Sequence, residues 1–426
     1  MLRTRGYKYE LRVNNKERKL LGKCASISRF TWNWGIANRK QRYRTQTGEA
    51  RYTDAMKQHK ELNHLKLTEF PWMYEVSKCV PQEALRDLDR SYQNFFTNHQ
   101  QIKRKQTTRY IGLPIFKKKG KCKDSFRLTG AIHLFPKVKQ VQLPRLSKLR
   151  LKERPNLPVS ARILSATVSR TADRWYVALT VKEEQPDCNP NDGPMIALDK
   201  GLSVFAALSS GISIARPKFL LQQARKQGRL SKAHSRKQKG SNNKRKSTLR
   251  LARFYRRIAN QRHNFLHQTS TYLAKNHSVI VTEDLYVKGL MQNKKLSKYW
   301  ADLSHGMFQR FLAYKAPLYG STVIEIDRWF PSSKLCSKCL YYHRHLTLAD
   351  RAFHCPLCGL VLDRDQNAAF NVANYYTIYQ FLLFPVAESS AETLNACGEA
   401  VRPASEQARI DESGRTAPRT VCNNCS

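Results

Sequence analysis

The chain has 426 residues, with 76 Lys and Arg against 32 Asp and Glu, a net charge of +44. Such an excess repels itself unless a polyanion is bound, so the composition points to DNA or RNA, while 41% hydrophobic residues supply several cores. No apolar stretch reaches membrane-spanning length, since the longest, Tyr375 to Val386, is short and contains Gln380, and Met1 to Arg5 lacks the apolar run of a signal peptide. Eleven cysteines is an odd number and four have metal spacing, which fits a reducing cytosol better than a disulfide framework.

In chain order, Tyr7 to Val13 alternates as a half-buried strand does. From Lys16 to Arg44 the spacing becomes helical, with Leu20, Leu21, Ile27, Phe30, Trp34 and Ala37 as the apolar side. A second helix starts at Pro81 and runs through Ala84, Leu85, Leu88, Tyr92, Phe95 and Phe96. Strand-like segments then return at Ser125 to Leu128, Lys139 to Leu143, Ile163 to Ser169 and Trp175 to Val181. The pattern is a β-domain interrupted by a helical insertion. After the polar segment Glu183 to Gly193, three strands are expected at Met195 to Leu198, Val204 to Leu208 and Ile212 to Ala215, the last two joined as a hairpin. Between Arg216 and Arg262 there are 17 Lys or Arg and no acid. The second half reads as a helix with Leu251, Tyr255 and Ile258 on one side, so its arginines project from an ordered surface toward nucleic acid. A strand at Val279 to Thr282, a helix near Met307 to Tyr319 and a strand at Thr322 to Ile326 follow. Three leading strands, a helix and a further strand describe an RNase H-like α/β class.

Asp199 and Glu283 each end an apolar run, and a third acid, Asp365, follows after a similar gap of roughly eighty residues. A carboxylate at the mouth of a buried strand is poorly solvated but well placed to bind a cation. Two Mg²⁺ ions held by shared carboxylates activate a water and stabilise the leaving oxygen of a phosphodiester. Cys336-Ser337-Lys338-Cys339 and Cys355-Pro356-Leu357-Cys358 are two CxxC pairs fifteen residues apart, the spacing of a Zn²⁺ ribbon with four thiolate ligands. Cys422 and Cys425 form a CxxC without a second pair nearby and read as incidental. In Asp363-Arg364-Asp365, which leads into a helix, one aspartate can serve as helix cap.

With these residues in hand the chain resembles the TnpB family, RNA-guided nucleases of insertion sequences of the IS200/IS605 group, related to type V CRISPR effectors. The matching pieces are Phe30 to Trp34, Ala84 to Leu88 with Asn94 to Phe96, Gly112 to Lys117, Leu198 to Gly201, Arg257 to Arg262, Thr282 to Leu285, Phe330 to Ser333, the ribbon with Asp363 to Ala369, and Leu394 to Gly398 with Val401 to Ala404. The resemblance implies a wedge-like β-barrel (1–15 and 111–190), a helical recognition lobe (16–110), a RuvC-like, RNase H-like nuclease (191–334 and 362–374), an inserted zinc ribbon (335–361) and a largely disordered C-terminal tail (375–426). It implies cleavage of double-stranded DNA next to a short transposon-adjacent motif, guided by RNA from the transposon end, in a prokaryotic cytoplasm in association with the nucleoid. Asp199, Glu283 and Asp365 match its catalytic, Mg²⁺-binding acids. Cys336, Cys339, Cys355 and Cys358 match its zinc ligands, and Tyr52, Lys78 and Gln82 its motif-reading positions. Arg250, Arg253, Arg256 and Arg257 of the basic run are the expected RNA contacts.

Two positions depart from the family pattern. Leu340 follows the first knuckle where Gly is usual, and Lys200 stands between Asp199 and Gly201 where an aliphatic residue is common. Two other readings stay open at this level. A DDE-type transposase shares the fold and the three acids but needs a separate end-binding domain, and an RNA-guided repressor would lose one or more of the acids.

Overall fold

The computed structural model describes residues 2–158, 160–184, 188–347 and 349–388, with the side chains of the last helix to 378, and residues 393–394 and 400–401. The chain folds as two compact units that meet in sequence at 186/187.

The first unit opens with β1 (Leu2–Arg12) and α1 (Asn15–Thr45). A capping box starts α1: Glu17 N–H donates to the Asn14 side chain and Asn14 N–H to the Glu17 carboxylate, both at 2.8 Å. Helices α2 (Ala55–Thr68) and α3 (Cys79–Lys103) follow. The sequence pattern passed over α2, which has polar residues at most positions and buries only Ala55, Gln58, Leu62 and Lys66. α1 and α3 approach closely at Gly35, where a Cβ would meet Leu88 and Leu85 at 2.7 and 2.9 Å. Six strands come next, β2 (Ser125–Thr129), β3 (His133–Phe135), β4 (Gln140–Gln142), β5 (Lys148–Leu151), β6 (Arg162–Thr171) and β7 (Arg174–Glu184). They join β1 in one antiparallel sheet of order β2-β6-β7-β1-β5-β4-β3. β1 is central, paired with β7 from Leu2↔Glu184 to Leu11↔Trp175. Among the described residues no ladder joins the edge strands β2 and β3, so the β-domain is an open seven-stranded sheet rather than a hydrogen-bonded closed barrel. Nor do sheet and helices form separate lobes. Leu21, Ile27, Leu62 and Leu85 of the helices share one core with Leu128, Leu149, Val177 and Leu179 of the strands.

The second unit carries β8 (Ile196–Asp199), β9 (Ala206–Leu208) and β10 (Ser213–Ile214), then α4 (Phe219–Gln222), α5 (Ala224–Ser235) and α6 (Asn242–Asn276). β11 (Val279–Glu283), α7 (Val287–Leu290), α8 (Ser297–Leu303), α9 (His305–Lys315) and β12 (Thr322–Ile326) follow, and the short hairpin β13 (Ala352–His354) and β14 (Val361–Asp363) leads into α10 (Arg364–Glu388). The sheet order is β10-β9-β8-β11-β12, antiparallel through β9 and β10 and parallel through β11 and β12. Its central strands are apolar on both faces, as strands covered by helices on both sides must be. Ile196, Leu198 and Ile280 pack with Leu266 and Leu273 of α6 and Phe308 and Leu312 of α9. Ala197 and Val281 turn the other way, toward Val372 and Tyr376 of α10. The tail expected from residue 375 therefore begins inside a helix that continues to Glu388, and its remainder, with Cys422 and Cys425, lies outside the described residues. No helix among the described residues is long and apolar enough to cross a membrane.

Candidate nuclease site and zinc ribbon

β8 and β11 run parallel in the register Ile280↔Ile196, Val281↔Ala197, Thr282↔Leu198, so Asp199 and Glu283 emerge side by side at one sheet edge. Strand residues two apart share a face. Asp199 thus continues the face of Ala197, and Glu283 that of Val281, the face that α10 covers. Asp365 stands in the first turn of that helix. The helix is drawn down by buried Ala368 and Ala369 and by Gln366, whose Nε2 donates to Leu208 O at 2.6 Å. The two aspartates flanking Arg364 have different tasks. Asp363 Oδ1 accepts from the N–H groups of Asp365 and Gln366 at 3.0 and 3.1 Å and caps α10, while Asp365 joins the acidic cluster.

The electrostatics reflect the crowding. Burial, and then the charges of Glu283 and Asp365, hold the Asp199 carboxyl well above the usual carboxylate range, with Arg364 and Lys200 pulling the other way. Burial raises Glu283 as well, opposed by the hydroxyl of Ser332, which donates to its carboxylate, and by Lys200. Asp365 Oδ2 accepts from Ser203 Oγ at 2.8 Å, and its Oδ1 lies 3.5 Å from the Arg364 guanidinium. Hard oxygen ligands at a desolvated, mutually repelling site suit divalent magnesium. Among the described residues the four cysteines form the one group of metal-ligating side chains with ligand atoms all within 4.8 Å. The acids do not form such a compact group, and what draws Asp199 and Asp365 together is seen in the electrostatic influence of one on the other.

Lys200 lies on the opposite side from the acids' outlet. Its Nζ donates to the carbonyl of Glu283 at 2.8 Å and to Gln309 Oε1 on α9 at 3.2 Å, and Gln309 Nε2 donates to Glu325 at 2.5 Å. Burial lowers the Lys200 ammonium to about 8. The departure from an aliphatic residue thus places a buried cation that braces β11 and holds down the pKa of both neighbouring acids. Ser203, Ser332, Gln309 and Arg364 were not singled out by the sequence, because nothing in their spacing shows which acid they would reach. Asp302, likewise without a distinctive setting in sequence, is fully buried, paired to Arg262 at 2.6 Å and accepting from Leu220 N–H at 3.1 Å. It fastens α8 to the basic helices.

The four cysteine sulfurs converge, with Cys336 Sγ 3.6 Å from Cys358 Sγ and Cys339 Sγ 3.5 Å from Cys355 Sγ. Tetrahedral Zn–S bonds near 2.3 Å require S···S separations of about 3.8 Å, so the site fits zinc with minor adjustment. Leu340 has φ +61°, the left-handed turn after the first knuckle where glycine would be least strained. The ribbon's own core is small: Leu346, Phe353 and the cysteines.

In α6 the buried side is Ser247, Phe254 and Ile258, while Tyr255, expected there, is exposed. Arg250, Arg253 and Arg257 are exposed and Arg256 is half-buried. At 100° per residue the first three form one stripe, and Arg256 lies further around the helix. In the first unit Lys78 is the N-cap of α3 and Gln82 stands in its first turn, and Tyr52 is exposed beyond the short 3₁₀ turn Gly48–Arg51. No described hydrogen bond or ion pair joins Tyr52 to the other two. A cleft of about 900 Å³ in that unit is lined by five cations, Arg12, Arg18, Lys148, Arg150 and Arg174, against two acids, Glu17 and Asp173, a concavity that the sequence did not reveal.

Family comparisons agree with this geometry. A family described as "Probable transposase", the IS605 OrfB group, matches residues 178–294, a "Cas12f1-like, TNB domain" matches 305–372, and a "Helix-turn-helix domain" of the same group matches 1–48. A Streptomyces pristinaespiralis protein named "Putative RNA-guided DNA endonuclease" is 31% identical over 96% of this chain and 94% of its own length. The chain belongs to the TnpB family. An Escherichia coli K12 relative carrying the same description is 27% identical over 87% of this TnpB chain and 92% of its own. A Cas12f1 protein solved with guide RNA and target DNA aligns with a TM-score of 0.44 at 14% identity, over 88% of this chain and 99% of that one. The segment matched as helix-turn-helix is, in this TnpB protein, a strand followed by one uninterrupted 31-residue helix.

Two outcomes follow from this site. Neutralising Asp199 as Asp199→Asn removes a buried repelling charge, so the metal-free variant should melt higher than wild type, at roughly 2–4 °C per kcal/mol gained. Added Mg²⁺ should raise the melting temperature of wild type more than that of the variant, as differential scanning calorimetry would show. Elemental analysis of reduced protein should find one zinc per chain, lost when Cys336 and Cys355 are changed to Ser and kept when Cys422 or Cys425 is.

Proposed function

We propose that this TnpB protein is an RNA-guided endonuclease that cuts double-stranded DNA by Mg²⁺-dependent phosphodiester hydrolysis, next to a short transposon-adjacent motif. The observation that carries the reading is the convergence of Asp199, Glu283 and Asp365 at the mouth of a buried parallel sheet, in a family whose relatives bear the name RNA-guided DNA endonuclease. The strand order, with three antiparallel strands leading into two parallel ones, supports an RNase H-like, RuvC-type nuclease. Two Mg²⁺ ions bound by these acids would supply an activated water and stabilise the leaving oxygen.

The chain's own residues hold the acids in position. Asp199 is fixed by its strand and Glu283 by its strand together with Ser332 and Lys200; Asp365 is fixed by the cap at Asp363 and by Ser203. The buried faces of β8 and β11 exclude water from behind the acids, so their charges open only toward substrate. Guide RNA made from the transposon end would choose the target by base pairing, leaving the protein to read backbone and adjacent motif. The exposed stripe Arg250, Arg253 and Arg257, with Arg256 beside it, offers phosphate contacts, and Tyr52, Lys78 and Gln82 are candidates for motif reading. Acting on DNA in this way, the protein would work in the cytoplasm with the nucleoid.

Asp199→Ala, Glu283→Ala and Asp365→Ala should each lower cleavage by the guide complex by at least about 10³-fold while leaving target binding intact. Asp363→Ala, which removes a cap, should be milder. Cleavage retained by Asp365→Ala and lost by Asp363→Ala would reverse the two roles. Changing Arg250, Arg253, Arg256 and Arg257 together to Gln should weaken guide binding and reduce the slope of log K against log salt by about 0.7 to 0.9 for each phosphate that is no longer neutralised. An unchanged slope in a folded variant would make α6 a purely structural helix.

A further inference from the structure

One buried polar network in the second unit reaches none of the reacting atoms directly, yet it touches the supports of two acids and the first zinc knuckle. It is built on Asn367, Asn371 and Asn374, at the i, i+4 and i+7 positions of one face of α10. Asn367 and Asn371 are almost completely buried. Asn367 donates to Leu335 O at 2.6 Å and accepts from Ser337 N–H at 3.0 Å, and Asn374 donates to Ser337 O at 3.0 Å. Asn371 Nδ2 donates to both Ser332 O at 2.7 Å and Leu335 O at 2.6 Å. The segment they grip, Ser332 to Ser337, ends beside the ligands Cys336 and Cys339. It begins at the residue whose hydroxyl donates to the Glu283 carboxylate.

Docking the ribbon is not a sufficient account of Asn371. Its Oδ1 is buried without a hydrogen-bond partner, a desolvation cost that a leucine of similar volume would avoid. What only asparagine supplies here is the Nδ2 donor, and that donor pins the backbone of Ser332.

Resting on the nuclease reading above, we propose that Asn371 is a positioning residue: it fixes the Ser332 backbone so that the hydroxyl meets Glu283, and ties the first cysteine knuckle to the helix that carries Asp365. One asparagine then serves both ends of the segment that leads into the ribbon: Ser332, which meets Glu283, and Leu335, next to the first zinc ligand.

The test uses the full chain with its guide RNA and compares Asn371→Leu, Ser332→Ala and Ser332→Thr with wild type. Both Asn371→Leu and Ser332→Ala should bind target normally, cleave about 10–100-fold more slowly and need several-fold more Mg²⁺ for half-maximal rate. Ser332→Thr, which keeps the hydroxyl, should restore both quantities. Asn371→Leu should also release zinc to a chelator faster than wild type, whereas Ser332→Ala should not, since it cuts only the arm leading to Glu283. Wild-type cleavage and Mg²⁺ dependence in both variants would overturn the proposal. Should Asn371→Leu fail to fold, Asn371→Ala, which also removes the Nδ2 donor, takes its place beside the Ala and Thr pair at Ser332, and wild-type values in it overturn the proposal. A wild-type complex that cuts no DNA would defeat the nuclease reading instead, and zinc release would still test the network.

Discussion

Like charges brought together out of water repel, and the second unit is organised around holding three of them in place. Asp199 and Glu283 are forced into proximity by the parallel register of β8 and β11, and strand parity turns both toward the helix that brings Asp365. Folding such a cluster costs stability, which the surrounding apolar core must exceed. That core is large: Phe205, Leu266, Leu273, Phe308 and Leu312 are all fully buried on the face away from the acids. A site kept strained by its scaffold gains from any ligand that relieves the repulsion, and divalent cations do so.

Helix α10 is the junction at which this is arranged. One side packs against the sheet through Val372 and Tyr376, its N-terminal turn supplies Asp365, and its asparagine row grips the polypeptide between Ser332 and Ser337. The ribbon, with a core too small to fold unaided, is fastened by metal-site geometry on one side and by amide hydrogen bonds on the other. Within one unit, the backbone of Ser332 to Ser337 and its hydrogen bonds to α10 lie between the acid Glu283 and the first cysteine pair.

The first unit solves a different problem, the presentation of positive charge on a rigid frame. The long β1–β7 ladder and the shared helix–sheet core fix the backbone, and cations from β1, β5, α1 and the start of β7 are left facing a common cleft. Several carboxylates are consumed in pairs such as Arg39–Asp89, Arg29–Asp124 and Arg5–Glu183, and Arg174 of the cleft is itself paired with Glu10. Most of the remaining basic excess of this unit faces solvent.

The sequence by itself determined which residues are candidates for the chemistry. Strand-ending acids, a doubled CxxC and an acid-free basic run are local patterns, and each needs only its neighbours to be recognised. The strands and helices with strong periodicity, such as β6, β7, β11, β12 and α1, were likewise readable. Weakly patterned α2 was not, nor were the short strands β3 and β5. Local pattern alone could not separate Asp363 from Asp365; the family resemblance named Asp365, and the tertiary structure supplies the physical reason, since Asp363 caps α10 while Asp365 joins the cluster. It also decided that the β-domain is an open sheet sharing its core with the helices, and that Tyr255 is exposed while Phe254 is buried, one residue of helical phase from expectation. The partners of the acids, Lys200, Ser203 and Ser332, are set by hydrogen bonds between segments up to 162 residues apart. Such pairings leave no periodic trace in the chain, since side chains that meet across a fold are under no constraint to be spaced regularly along it.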